Sequence, residues 1–363
     1  MIRGLFNIWS KVGQVPLTPA YGKLPGRTNM RRIFIILLFL TLIVHLESFA
    51  HDNAVSNTHE ETIATFSIVA RDSVTGELGV AVASKFFTVG NVVPWAKAGV
   101  GGVATQAYAN TSFGWRGLEL LEQGLTPEEI RNLFVRTDKG HARRQFGIVS
   151  ANGQSVTYTG DSCSAWAGGR SGKNYAVQGN ILAGEAVVVA MEKAFLETQG
   201  TLADRLYAAL LAGESKGGDS RGKQSAALLV VKEGAGYGGY TDRAIDIRVD
   251  DHVEPFKELG RILKIAQMNY SWNIAWTYFT EQKYAEALPH MERTAQMASD
   301  YAEVLYDLAV IRLANDDNTG ALEALEKALH LNPKLTAQAA IDNDLAALRD
   351  NAEYKELIEK YKN

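Results

Sequence analysis

Ala64-Thr65-Phe66-Ser67-Ile68-Val69-Ala70-Arg71, then Asp72-Ser73-Val74-Thr75-Gly76, then Glu77-Leu78-Gly79-Val80-Ala81-Val82-Ala83-Ser84 is the stretch that decides the fold. The flanking runs suit strands, and the five residues between them carry the Asp, Ser, Thr and Gly of a turn, so a β-hairpin opening a domain is predicted over 65–84. Outward from it, residues 100–106 read as a further strand. Thr126-Pro127-Glu128-Glu129 reads as a helix start, with Thr as cap, Pro at the first helical position and Glu closing a capping box. Helices are expected over about 115–136, 185–198 and 202–212, and extended segments at 144–149, 176–182, 225–231 and 244–249. Strand pairs alternating with helix pairs predict an α+β layered sandwich.

Glycine marks where this domain ends: 27 of the 33 glycines lie between residues 65 and 250, and only Gly260 and Gly320 follow. Beyond residue 255 the pattern is helical with a period of 34 residues. Ile274-Ala275, Ala287-Leu288 and Met291 recur as Leu308-Ala309, Ala321-Leu322 and Leu325, a spacing that resembles tetratricopeptide repeats. The second copy closes with Ala328 and Asn332-Pro333; the first lacks that proline and carries Pro289 inside its second helix. Two copies are barely enough to stand alone, so the repeats are expected to lean on the sheet domain or on a second subunit, and a homo-oligomer is expected. The domains predicted are a sheet domain over 65–255 and an all-α helical-repeat domain over 263–363.

Met30-Arg31-Arg32 precedes twelve residues, 33–44, of which only Thr41 is polar, and Ser48-Phe49-Ala50 supplies a small-x-small site. This reads as a cleaved secretory signal peptide within residues 1–50, too short in its apolar run to span a bilayer, and predicts a secreted or periplasmic protein. Met30 is a candidate start. Residues 51–64 form a polar leader. The whole chain has 363 residues, 46% hydrophobic and 21% charged, which excludes intrinsic disorder and collagen. Its net charge is −4, yet residues 1–32 hold six bases and no acid, so residues 51–363 are more acidic and no nucleic-acid partner is expected. Cys163 is the single cysteine and no His-x-x-x-His pair occurs, so neither a metal site nor a cofactor is expected.

Several motifs fail on context. Gly217-Gly218-Asp219-Ser220-Arg221-Gly222-Lys223 imitates a P-loop, but Gln224 stands where a magnesium-ligating hydroxyl is needed, and a helix precedes the segment while a strand follows it. Gly234-x-Gly236-x-x-Gly239 joins two strands and reads as a hairpin loop. Ser220-x-x-Lys223 has no Ser-Asp-Asn or Lys-Thr-Gly partner. Thr65 survives: a threonine opening the first strand after a polar leader can become an N-terminal nucleophile, because the α-amine of the same residue, of ordinary pKa about 7.7–8.0, can take the hydroxyl proton.

Residues 64–70, Gly79-Val80-Ala81-Val82-Ala83-Ser84-Lys85, residues 93–101, Ala104-Thr105-Gln106, Gln178-Gly179-Asn180, Asp219-Ser220-Arg221-Gly222 and residues 242–252 together resemble the domain of unknown function 1028 family over about 64–262. That family resembles the N-terminal nucleophile hydrolases, which implies a four-layer α-β-β-α sandwich; its activity is not established. The resemblance places the nucleophile at Thr65, conditional on cleavage after Ala64. It offers Lys97 or Lys85, the latter beside Ser84 at the end of the second strand, as the charge that lowers the amine pKa. Asn180 is a candidate oxyanion donor. Gln106, Asp219, Ser220 and Arg221 are candidate substrate-binding residues, Arg221 as a bidentate grip on a carboxylate. Two functions stay open. One is an amidohydrolase acting on a small amide or cell-wall peptide, since some members carry a peptidoglycan-binding domain. The other is a non-catalytic envelope scaffold whose helical repeats dock a protein partner.

Overall fold

The computed structural model describes residues 65–362; the expected signal peptide and leader lie outside the described residues. Strand β1 (Thr65–Arg71) pairs antiparallel with β2 (Leu78–Ser84), from Thr65 opposite Ser84 to Arg71 opposite Leu78. Asp72 holds the turn by accepting from the N–H groups of Val74 and Thr75 at 2.8 and 2.9 Å. There follow β3 (Pro94–Lys97), β4 (Gly101–Ala107), β5 (Arg144–Ser150), β6 (Ser155–Thr159), β7 (Gly168–Gly172), β8 (Tyr175–Asn180), β9 (Ser225–Val231) and β10 (Arg243–Val249). They form two antiparallel sheets, ordered β10-β9-β2-β1-β8-β7 and β3-β4-β5-β6.

Why β1 lacks an apolar-polar alternation follows from its place: it is central, and both its faces are covered. Phe66, Ile68 and Ala70 meet Met191 and Phe195 of α3 (Glu185–Glu197) and Leu206 and Leu210 of α4 (Leu202–Ser215). The intervening Val69 packs with Val80, Val82, Ala104 and Val149 between the sheets. Beneath the second sheet lie α1 (Ser112–Glu122) and α2 (Pro127–Thr137). There Phe113 stacks on Phe134 at 4.1 Å, and Phe146 of β5 meets both edge-on. The layers thus run helix, sheet, sheet, helix. The capping box expected at Thr126 is present, with Pro127 at the helix start.

Strands β3, β6 and β7 were not among those expected. Each lies at the edge of its sheet and is only partly buried, so none needed the apolar run by which a buried strand is recognised.

The interval 256–262 left between the two expected domains lies inside one helix, α5 (Pro255–Thr280). Its Phe256, Leu259 and Leu263 join the core of the sheet domain, and Phe66 stacks on Phe256 at 6.1 Å. Its later turns belong to the repeat core with α6 (Tyr284–Met297), α7 (Ala302–Ala314) and α8 (Asn318–Leu331), followed by α9 (Leu335–Ile341) and α10 (Ala352–Lys360). The four small residues picked out by the 34-residue period, Ala275, Ala287, Ala309 and Ala321, are all fully buried where helices approach. Among the described residues no helix is long and apolar enough to cross a membrane.

Candidate functional site

Thr65 begins the central strand, opposite Ser84 of β2 on one side and Asn180 of β8 on the other. Residues opposed across antiparallel strands share a face, so these three side chains all point between the sheets. The Thr65 hydroxyl donates to Ser84 Oγ at 3.2 Å.

Below them the gap between the sheets is filled by amides instead of hydrocarbon. Gln106 of β4 donates from Nε2 to the Thr65 carbonyl at 3.2 Å and to Gln145 Oε1 at 2.8 Å, while its Oε1 accepts from Ser67 Oγ at 2.6 Å. Gln178 of β8 donates to Ser67 Oγ at 2.6 Å. Gln145 of β5 donates to the Gly179 carbonyl at 2.7 Å and to Thr159 Oγ1 at 2.9 Å, and its Oε1 accepts from Asn180 Nδ2 at 2.9 Å. Gly147 makes the room: a Cβ there would stand 2.2 Å from Gln178 Oε1.

The backbone orients this network. Carbonyls can only accept, so Gly179 fixes which end of the Gln145 amide faces it; Gln145 Oε1 in turn draws the Asn180 Nδ2 toward itself. One consequence is that Asn180 Oδ1, in a residue 1% exposed, is buried with no hydrogen-bond partner among the described residues. Buried polar atoms are nearly always paired, so an orphan acceptor opposite Thr65 marks a place for a donor.

Asn180 is followed by Ile181 at φ 51, a left-handed conformation that a β-branched residue takes only under constraint. Hydrogen bonds from Ile181 N–H to the Ser164 carbonyl and from Ser220 N–H to the Ile181 carbonyl, both 3.0 Å, hold it there. The loop carrying Asp219, Ser220 and Arg221 therefore bridges the two strands that flank β1. On the β8 side Asp219 bridges to Leu182; on the β2 side it accepts from Lys85 N–H at 2.7 Å, and Arg221 donates to the Lys85 carbonyl at 3.0 Å.

Of the residues expected here, the structure gathers Thr65, Ser84, Gln106 and Asn180 between the sheets and sets Asp219, Ser220 and Arg221 on the loop beside them, tied to the Lys85 backbone and to Ile181 and Leu182. It does not bring Lys97. That residue faces Gly101 at the far end of β4 and pairs with Glu122 at 2.6 Å on the surface; Gly101 lies five residue steps along the strand from Gln106, about 17 Å. Lys85 is adjacent in the chain, but what it gives the site is its backbone, clamped by Asp219, while its side chain is exposed. Arg221 also differs from expectation. Its guanidinium forks onto Asp219 through Nε at 3.2 Å and Nη2 at 3.0 Å, so the bidentate grip expected for a substrate carboxylate is already turned on a neighbour. Ser220 is exposed on that loop. Gln145 and Ser67 went unread, because a lone polar residue within a buried strand carries no spacing that betrays its partners. Among the described residues no three His, Cys, Asp or Glu side chains gather as a metal site.

The fold and this polar inter-sheet site define a two-sheet α+β domain continued by helical repeats. The profile of a family of unknown function (DUF1028) matches residues 65–259, and the chain belongs to that family. A tetratricopeptide repeat profile matches residues 278–345. Among solved structures, the chain is similar to the crystal structure of protein SPO2555 from Silicibacter pomeroyi, a DUF1028 protein. The two are 30% identical with a TM-score of 0.51, over 56% of this chain and 89% of that one. No curated protein matches.

Proposed function

We propose that this protein is a secreted amide hydrolase whose nucleophile is Thr65, freed by cleavage after Ala64. The observation that carries the reading is the buried Oδ1 of Asn180 opposite Thr65, which has no partner among the described residues: it is an acceptor suited to the amino group that cleavage would create. The family match beginning at Thr65 supports it, as does the loop of Asp219 and Arg221 bridging the strands on either side. In the reaction, Oγ1 of Thr65 attacks the amide carbonyl while its proton passes to the α-amine. The amine then protonates the leaving group as the C–N bond breaks, leaving an acyl ester on Thr65. Water, deprotonated by the same amine, releases the acid. Asn180 Oδ1 orients the amine, and the second N–H of its amide serves the oxyanion. Gln106 holds the Thr65 carbonyl so that the nucleophile is positioned by the sheet. The substrate is a small amide or a peptidoglycan-derived peptide, and secretion rests on the apolar run and the Ala50 site.

Intact mass and N-terminal sequencing of the mature protein test this directly. The expected chain begins at Thr65; a stable, fully active chain beginning at His51 would sink the mechanism. The repeat match favours a second, compatible role, in which the helices dock a protein partner.

A further inference from the structure

At the opposite end of β1 from Thr65, some seven residues and about 20 Å away, a cavity of about 430 Å³ opens between the sheet domain and the first helical hairpin. Its size is that of small-molecule pockets. The sheet domain supplies Glu77 just before β2, Lys232 just after β9, and Asp204 of α4; the hairpin supplies Tyr270 of α5 and His290 and Arg293 of α6. Neither Lys232 nor Arg293 forms an ion pair with a described residue. Both lie close enough to His290 to depress its pKa, after the larger effect of burial. Glu77 is 8% exposed, and its burial raises its carboxyl above the ordinary range, opposed by the Thr75 hydroxyl and the nearby Lys232.

Lys232, which acts on Glu77 from nearby, Arg293 and a buried carboxyl thus face one small cavity; of the other carboxylates on its wall, Asp72 is paired with Arg205 and Asp204 accepts from Thr201 and Gln267. A compact dianion such as phosphate would meet Lys232 and Arg293, but also the buried carboxyl of Glu77, which has no cation within ion-pair distance among the described residues. A ligand bearing one carboxylate and one ammonium meets complementary charge at both ends. We infer that this cavity binds a zwitterion, a free amino acid or a short peptide, with its carboxylate on Lys232 and Arg293 and its ammonium on Glu77. The site joins the two halves of the chain, so its occupancy would brace the repeats against the sheet domain. It does not depend on Thr65 being a nucleophile.

Isothermal titration calorimetry on the full chain, with glycylglycine, N-acetylglycine, inorganic phosphate and the free amino acids as probes, tests the assignment. Glycylglycine or at least one amino acid should bind one per chain. N-acetylglycine, which keeps the carboxylate and lacks the ammonium, should bind about tenfold more weakly. Arg293→Gln, on an exposed helix position, should weaken the zwitterion about tenfold, and Glu77→Gln should remove the preference for it over N-acetylglycine, each variant first shown to be folded by circular dichroism. Binding of phosphate tighter than any zwitterion, equal binding of N-acetylglycine, indifference to Arg293→Gln, or no saturable binding by any of these probes up to about 10 mM would each overturn the inference.

Discussion

Gln145→Met is the substitution that most directly tests the buried amide cluster. Methionine nearly matches glutamine in length but can neither donate to the Gly179 carbonyl, now 2.7 Å from Nε2, nor accept from Asn180 Nδ2, now at 2.9 Å. Gln106 Nε2 also loses a partner but keeps the Thr65 carbonyl, and Thr159 and the Gly168 carbonyl, the latter 3.3 Å from Nε2, belong to partly buried residues and can turn to water. Two buried groups are therefore stranded. At about 1–3 kcal/mol for each unmet buried group, the loss is about 2–6 kcal/mol, with about 4 kcal/mol expected. Urea unfolding followed by near-ultraviolet circular dichroism reads it as a midpoint lowered by roughly 1 M or more, given a slope of about 3 kcal/mol/M. A cycle with Asn180→Ala should show coupling of about 1 kcal/mol or more, because both changes remove the same bond. A loss under about 1 kcal/mol, or simple additivity, would mean that water already satisfies these groups and that Gln145 does not orient Asn180.

Thr65→Ala should abolish hydrolysis of any amide substrate found, while Thr65→Ser keeps partial activity because hydroxyl and amine both survive; full activity in the alanine variant, measured on an amide substrate, would end the nucleophile reading. Lys97→Met should leave the pH–rate profile unmoved, since its partner is Glu122 on the surface; a shifted alkaline limb would return Lys97 to the site. In the repeats, burial pushes the Asp307 carboxyl up to about 6, although the indole N–H groups of Trp276 and Trp272 donate to it and oppose the shift. A carboxyl whose folded pKa exceeds its unfolded value favours folding most at low pH, so the repeats should lose stability as pH rises from about 4 through 6. Tryptophan fluorescence should titrate in that window, and Asp307→Asn should flatten the profile. A chain ending at residue 270 should fold, whereas one ending at 254 removes Phe256, Leu259 and Leu263 from the core, at about 1.5–3 kcal/mol for each, and should aggregate on expression; soluble, cooperatively unfolding protein from the shorter chain would contradict this.

The opening hairpin, the capped helix at Thr126 and the 34-residue helical period were all legible because each is a local pattern: turn residues between strand-formers, a cap with its reciprocal carboxylate, small residues recurring where helices touch. Thr65, Ser84, Asn180 and Asp219 were likewise named from their motifs. What the sequence could not carry was which residues meet across the gap between two sheets. Gln106, Gln145 and Gln178 are separated by 39 and 33 positions in the chain, and only the stacking of β4 and β5 on β1 and β8 makes one cluster of them. The same stacking sends Lys97 to the far end of its strand and leaves Asn180 Oδ1 without a donor among the described residues. The join between the two halves was also beyond reach, since α5 continues one helical period while changing the core its apolar face enters. Periodicity reports that a face is buried; only the tertiary structure decides against what.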